Sequence, residues 1–291
     1  MKKCHGYGHW AVSGFLFFFA AYLLPQSYGW GLVQGSSLVF IPSPDSPVLM
    51  PTKVYRPQVI GTHPLVVISH GSSSNAELRA LQDLSHFEDL ASWFVRLGYV
   101  VAVPQRPGHG KTEGEWLEGA GSCEDPRYDR AGMTIAANIA ASIRYLVKLA
   151  FIQKNGVIVV GHSAGGWGAL ALASQNPPSV SAVINFSGGM GGRSYDLPGR
   201  NCAPDRLITT AAKFGRMARL PTLWIYAQND TYFGPDLSNA MARAFKSGGG
   251  DIQFHLLPAV GNDGHFLTNG SIAISNWSHQ VEIFLRQLKV R

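Results

Sequence analysis

The chain has 291 residues and a formal net charge of +6; 46% of its residues are hydrophobic and only 14% are charged. That balance excludes a disordered or fibrous chain and favours one well-buried domain. The basic residues are scattered rather than clustered, so the charge excess belongs to a solvated surface and gives no footing for nucleic-acid binding.

Lys2 and Lys3 precede the apolar run Ala11 to Leu24, which Pro25 breaks. This is the layout of a secretory signal, with Ser27 and Gly29 as the small residues before a cleavage at Trp30. The run falls short of the roughly 18 apolar residues a spanning helix needs. Residues 1–29 are therefore expected to be a leader and residues 30–291 the exported domain, periplasmic or secreted, with no stable membrane insertion after cleavage. An uncleaved anchor is the alternative. Cys123 and Cys202 remain beyond the leader, and an even pair in an exported chain suggests a disulfide, with two free thiols as the plainer reading.

Ser37 to Pro42 and Thr52 to Arg56 read as a leading hairpin or meander. Pro64 to Ser69 is a buried strand, His86 to Leu97 carries helical periodicity, and Tyr99 to Val103 is the next strand. A Gly- and Pro-rich loop, Pro104 to Arg127, leads to a helix from about Asp129 to Ala150. Val157 to Val160 is a strand, and the small-residue stretch after Ser163 is a helix. Ser181 to Phe186 and Pro221 to Ala227 are further strands, and Gly188 to Ala218 between them, an irregular stretch with one helix, is expected to form a small cap over the site. A helix near Asp236 to Lys246, the strand Ile252 to Leu257 and an amphipathic helix from Ile272 to Leu288 close the chain. Strands alternating with helices imply a mainly parallel sheet covered on both faces, with its site beyond the C-terminal strand ends.

Between the strand at 157–160 and its helix stands Gly161-His162-Ser163-Ala164-Gly165-Gly166. A G-x-S-x-G in that position is a nucleophile elbow, a turn so sharp that the serine hydroxyl is left exposed. Gly108-His109-Gly110-Lys111-Thr112 resembles the end of a phosphate-binding loop, but Gln105 stands where its first glycine is needed, so nucleotide binding is discarded.

A serine hydroxyl needs a base, and the base needs a carboxylate to fix its tautomer; in elbow-type sheets these follow in the order Ser, acid, His. Asp230, just past the strand ending at Ala227, fits the acid, although an Asx-turn or a helix cap explains it more plainly; Asp236 is the better cap. His265 fits the base, following the last strand through Gly261-Asn262-Asp263-Gly264. Asp263 is a weaker rival for the acid, being too near His265 in sequence for the right approach. His86 and His109 precede the serine, His255 falls inside a strand and His279 on the closing helix, while His70 and His162 read as shaping the pocket. The oxyanion donors are expected to be the backbone N–H groups of Ala164 and of Ser72, with Gly71 as fallback. Trp116, Tyr195 and Phe233 are candidates for the acyl site or, more plainly, for packing.

His70-Gly71, Arg106 to Gly110, Gly161 to Gly166, Asp230 and Gly264-His265 together resemble the α/β-hydrolase family, in its dienelactone-hydrolase-like and peptidase-S9-like branch. The resemblance implies an α/β-hydrolase fold on an eight-stranded sheet, with Ser163, Asp230 and His265 as the triad. Dienelactone hydrolases proper carry a cysteine nucleophile where this chain has Ser163, so their substrate does not carry over. The expected activity is cleavage of small-molecule carboxylic esters through an acyl-enzyme, without metal or cofactor. A peptidase or amidase using the same triad, and a non-catalytic binding protein on the same scaffold, are the alternatives.

Overall fold

The computed structural model describes residues 36–44 and 47–288; the expected leader lies outside them. The strands are β1 (Ser37–Pro42), β2 (Leu49–Tyr55), β3 (Leu65–Ser69), β4 (Val100–Pro104), β5 (Val157–His162), β6 (Val180–Phe186), β7 (Thr222–Ala227) and β8 (Ile252–Leu257). The helices are α1 (Ala76–Ala80), α2 (Glu88–Arg96), α3 (Tyr128–Leu146), α4 (Ala164–Ala173), α5 (Pro204–Met217), α6 (Pro235–Ser247) and α7 (Ser271–Leu288). One eight-stranded sheet runs in the order β1-β2-β4-β3-β5-β6-β7-β8. β2 pairs antiparallel with both β1 and β4, and every pairing from β4 through β8 is parallel. This is the α/β-hydrolase arrangement expected from the sequence.

The central strands are rich in β-branched residues because both faces are covered. Their side chains alternate between two cores: Leu65 and Val67 of β3 join one, Val66 and Ile68 the other. α3, α4, α5 and α6 pack on the first face, and α2 and α7 on the second. Trp277 of α7 anchors the second core, its ring 5.2 Å from Trp93 and 4.8 Å from Phe186.

Three expectations are corrected. β2 starts at Leu49 rather than Thr52, running through Pro51, which gives no N–H but whose carbonyl accepts from the Gln105 N–H at 2.9 Å. α1, capped by Asn75, is an additional short helix. The helical half of the expected cap at 188–218 is no cap: α5 is the crossover from β6 to β7, burying Leu207, Ala211 and Phe214 in the first core. Two parallel neighbours need such a crossover, and this segment supplies it. Only residues 188–203 remain as loop beside the strand ends. Among the described residues, no helix is long and apolar enough to cross a membrane.

Candidate active site

β5 ends with His162 at the C-terminal edge of the sheet and α4 begins at Ala164, with one residue between them. Between them Ser163 has φ 56° and ψ −125°, a conformation that costs an L-residue energy and persists only when its surroundings hold it. Here the Ser163 N–H donates to the Phe186 carbonyl (3.0 Å), while the Ser163 carbonyl accepts from Trp167 N–H (3.0 Å) and Gly189 N–H (3.2 Å). The flanking glycines are needed for close approach: a Cβ on Gly165 would strike the carbonyls of Ser69 and His70.

The structure brings Ser163, His265 and Asp230 together. His265 lies on a 3-10 turn, Gly264–Phe266, with Nε2 3.0 Å from Ser163 Oγ and Nδ1 3.2 and 3.3 Å from the two Asp230 oxygens. Ser163 is 8% exposed and His265 2%. Asp230 Oδ1 also accepts the N–H groups of Tyr232 (2.8 Å) and Phe233 (2.9 Å), so the Asx-turn and the contact to His265 coexist on one carboxylate. Burial pushes this carboxyl up, but its bond to His265, the His265 charge and the two backbone N–H groups outweigh burial and hold it below its ordinary value. Asp236 is not the cap of α6: Gly234 holds that position, and Asp236 lies in the first turn, where its charge suits the helix dipole.

Four rings surround the imidazole, Phe266 meeting it edge-on at 5.4 Å between centroids. Tyr232 stacks on it at 3.9 Å between centroids, Phe233 lies at 5.6 Å, and His162 at 5.0 Å donates from Nε2 to the His265 carbonyl (2.7 Å). Asp263 faces the backbone of His265, accepting its N–H at 2.9 Å.

On the opposite side, the loop after β3 lies against the serine: a Cβ on Gly71 would sit 3.2 Å from Ser163 Cβ. Ser72 turns its hydroxyl toward the long loop after β4, meeting His109 Nε2 at 2.8 Å and accepting from the Trp116 indole N–H at 3.2 Å. His109 Nδ1 rests on the Pro107 carbonyl at 3.1 Å, so the neutral ring donates there and accepts from Ser72. Burial pushes the His109 ring down to about 4 against the opposing pull of Glu118. Burial, then the Arg106 charge, also holds His70 well below the ordinary histidine value, and its Nε2 accepts the Arg106 N–H at 3.0 Å.

Beneath this loop Arg106 pairs with Glu118, both buried, and its Nη1 donates to Ser69 Oγ at 3.0 Å. Sequence reasoning missed this pair. Arg106 stands within the family-like stretch Arg106 to Gly110, but nothing in the sequence pointed to Glu118 as its partner. Of the pocket candidates, Trp116 carries the Arg79 guanidinium 3.8 Å above its ring, and Phe233 is packed against Gly189. Tyr195 is 76% exposed and meets Arg200 instead. Cys123 and Cys202 are joined in a disulfide, Cα atoms 5.2 Å apart, which ties the loop after β4 to the loop after β6.

The family model described as the dienelactone hydrolase family matches residues 50–285. No curated protein matches the chain in sequence. Among solved structures, the chain is similar to the Pyrococcus furiosus esterase Pf2001, with 16% identity and a TM-score of 0.61 over 87% of this chain and 92% of that one. Est1E from Butyrivibrio proteoclasticus, solved with ferulic acid bound, gives 16% identity and a TM-score of 0.61 over 87% and 100%. The Pyrococcus horikoshii acylaminoacyl peptidase gives 14% identity and a TM-score of 0.61 over 87% of this chain but only 41% of its own. At such identities the likeness is one of fold.

Proposed function

This chain belongs to the dienelactone hydrolase family of carboxylic ester hydrolases, and from that premise we propose that it is an exported serine esterase with Ser163, His265 and Asp230 as its triad. The observation that carries the reading is the placement of His265, with one ring nitrogen 3.0 Å from the Ser163 hydroxyl and the other on Asp230. Ser163 Oγ attacks the acyl carbon of a small-molecule ester while His265 Nε2 takes its proton. Asp230 stabilises the resulting imidazolium. The carbonyl oxygen, now an anion, is held by the N–H of Ala164 and that of Ser72, with Gly71 as the alternative donor. Ala164 suits this role because the first N–H groups of a helix have no partner within it. His265 then returns the proton to the departing alcohol, and a water activated by the same imidazole releases the acid. The residues assigned here perform every step.

Export of residues 30–291 is part of the same proposal, supported by the leader-like N-terminus and by the Cys123–Cys202 disulfide, which persists in oxidising compartments.

A fluorophosphonate probe tests the reading, because it reacts only with an activated serine. We expect stoichiometric labelling at Ser163, abolished in Ser163→Ala and His265→Ala. Equal labelling of Ser163→Ala refutes it. A panel of p-nitrophenyl esters, a feruloyl ester and peptide anilides then separates ester from amide cleavage.

A further inference from the structure

We propose that Asn229 and Asp263 form a reciprocal clamp that positions His265 against Asp230. The inference rests on the triad reading above and deepens it. Asn229 immediately precedes Asp230 and reaches into the loop that carries the base. Its Nδ2 donates to the carbonyls of Val260 (3.2 Å) and Gly261 (3.1 Å), its Oδ1 accepts from Val260 N–H (2.9 Å), and its own carbonyl accepts from Gly264 N–H (3.2 Å). Asp263 reaches the other way. Its Oδ1 accepts the N–H groups of Thr231 (3.1 Å) and His265 (2.9 Å), and its Oδ2 accepts the Thr231 hydroxyl at 2.6 Å.

The two residues beside Asp230, on either side, are thus the ones held by the base loop. The approach is as close as the chain allows: a Cβ on Gly264 would lie 2.6 Å from Ala227 Cβ and 2.5 Å from Asn229 Oδ1. Thr231 is committed in direction as well. Arg193 Nη1 donates to its Oγ1 at 3.1 Å, and a guanidinium cannot accept, so the single hydroxyl proton goes to Asp263. None of the three bonds to Asp263 reaches the imidazole ring, so Asp263 is a positioning residue and not a second acid. The contact it protects is sensitive. At 3.2 and 3.3 Å, Nδ1 and the Asp230 oxygens stand at the outer edge of hydrogen-bond range, and a small retreat of the base loop breaks them.

The test is steady-state hydrolysis of p-nitrophenyl acetate by the full chain and its variants. Displacing a reacting group by about 1 Å costs roughly 10²-fold. Asp263→Ala is therefore expected to lower kcat about 30- to 300-fold while KM stays within about threefold. In Asp263→Asn the amide oxygen still accepts both N–H groups and its nitrogen can donate to Thr231 Oγ1, so kcat recovers to within about fivefold of the wild type. Thr231→Val removes only the hydroxyl from a nearly unchanged shape and lowers kcat about three- to tenfold with KM unaltered. Wild-type kcat in Asp263→Ala with a native near-ultraviolet dichroism spectrum overturns the clamp, as does a loss in Asp263→Asn as deep as in Asp263→Ala. If Asp263→Ala does not fold, Thr231→Val decides, and wild-type kcat there overturns the proposal. Ser163→Ala and Asp230→Asn are measured in parallel: activity surviving in those two sinks the triad reading, whereas their loss beside an unaffected Asp263→Ala sinks the clamp alone.

Discussion

Tyr232 lies nearly flat on His265, with centroids 3.9 Å apart and planes inclined by 22°, and the Arg193 guanidinium lies over the same tyrosine ring, 5.5 Å from its centroid. An aromatic face against an imidazole does two things. It restricts the ring to one orientation, and it sets the negative face of the π-system against the ring that is to receive the serine proton. Both effects act in the proposed transition state, where His265 holds the proton of Ser163.

Replacing that ring is therefore expected to slow turnover more than binding. Tyr232→Leu keeps an apolar cover but loses the π-face, and kcat should fall about three- to tenfold, the equivalent of the roughly 0.5–1.5 kcal/mol such pairs contribute. Steady-state kinetics on a p-nitrophenyl ester measure this. A rise in KM alone, with kcat intact, contradicts the assigned effect.

Asp230 carries both a kinetic and a stability expectation. Asp230→Asn leaves the geometry nearly intact but allows the wrong imidazole tautomer, so kcat should drop by about 10⁴. The folded carboxyl sits below its ordinary value, with burial outweighed by its bond to His265, the His265 charge and two backbone N–H groups. Its charge thus adds stability above the ordinary carboxylate range, and that share disappears as pH falls through the lower folded value. Urea midpoints of wild type and Asp230→Asn should converge on acidification below about pH 4. Parallel curves throughout would remove the electrostatic part of this account.

His109 gives the opposite kind of group, a base kept neutral. Burial pushes it down to about 4, so between its ordinary value and that figure the unfolded chain binds a proton that the folded chain refuses. Stability is whole above about pH 6.5 and declines toward pH 4, by on the order of 3 kcal/mol from this one side chain. His109→Gln has nothing to titrate. Its stability deficit against the wild type should shrink between pH 7 and pH 4.5, and a constant deficit refutes the assignment.

The disulfide encloses a long stretch of chain, with Cys123 and Cys202 separated by 79 positions. Closing a loop of that length removes chain entropy from the unfolded state worth about 4–5 kcal/mol in the simplest treatment. The double variant Cys123→Ala, Cys202→Ala should therefore melt well below the oxidised wild type, and reduction of the wild type should reproduce the shift. The bridge also joins the loop bearing Trp116 to the loop bearing Arg193, so KM should rise with the loss of stability. Identical melting curves with and without reductant count against any structural role.

Much of this protein is written locally. The strand cores, the small-residue helix after Ser163 and the glycines around it follow from neighbouring residues, because hydrophobic period and turn chemistry act over a few positions. That is why the sheet and the elbow pattern could be read from the chain, and why Ser163, Asp230 and His265, whose side chains do meet, could be proposed together from their order among ten histidines and many carboxylates. What neighbouring residues do not encode is which atoms meet across long separations. Asp263 and Asp230 both stand near His265, yet one accepts its backbone N–H and the other faces its ring, a choice made by how the loops after β7 and β8 fold against each other. The same holds for Arg106 and Ser69, whose contact across 37 positions depends on β4 lying beside β3. It holds for α5 as well: composition suggested a cap, and only the adjacency of β6 and β7 made it a crossover. Side-chain partnership is a property of tertiary geometry, because a bond of about 3 Å is set by the packing of whole elements and not by the sequence spacing of its ends.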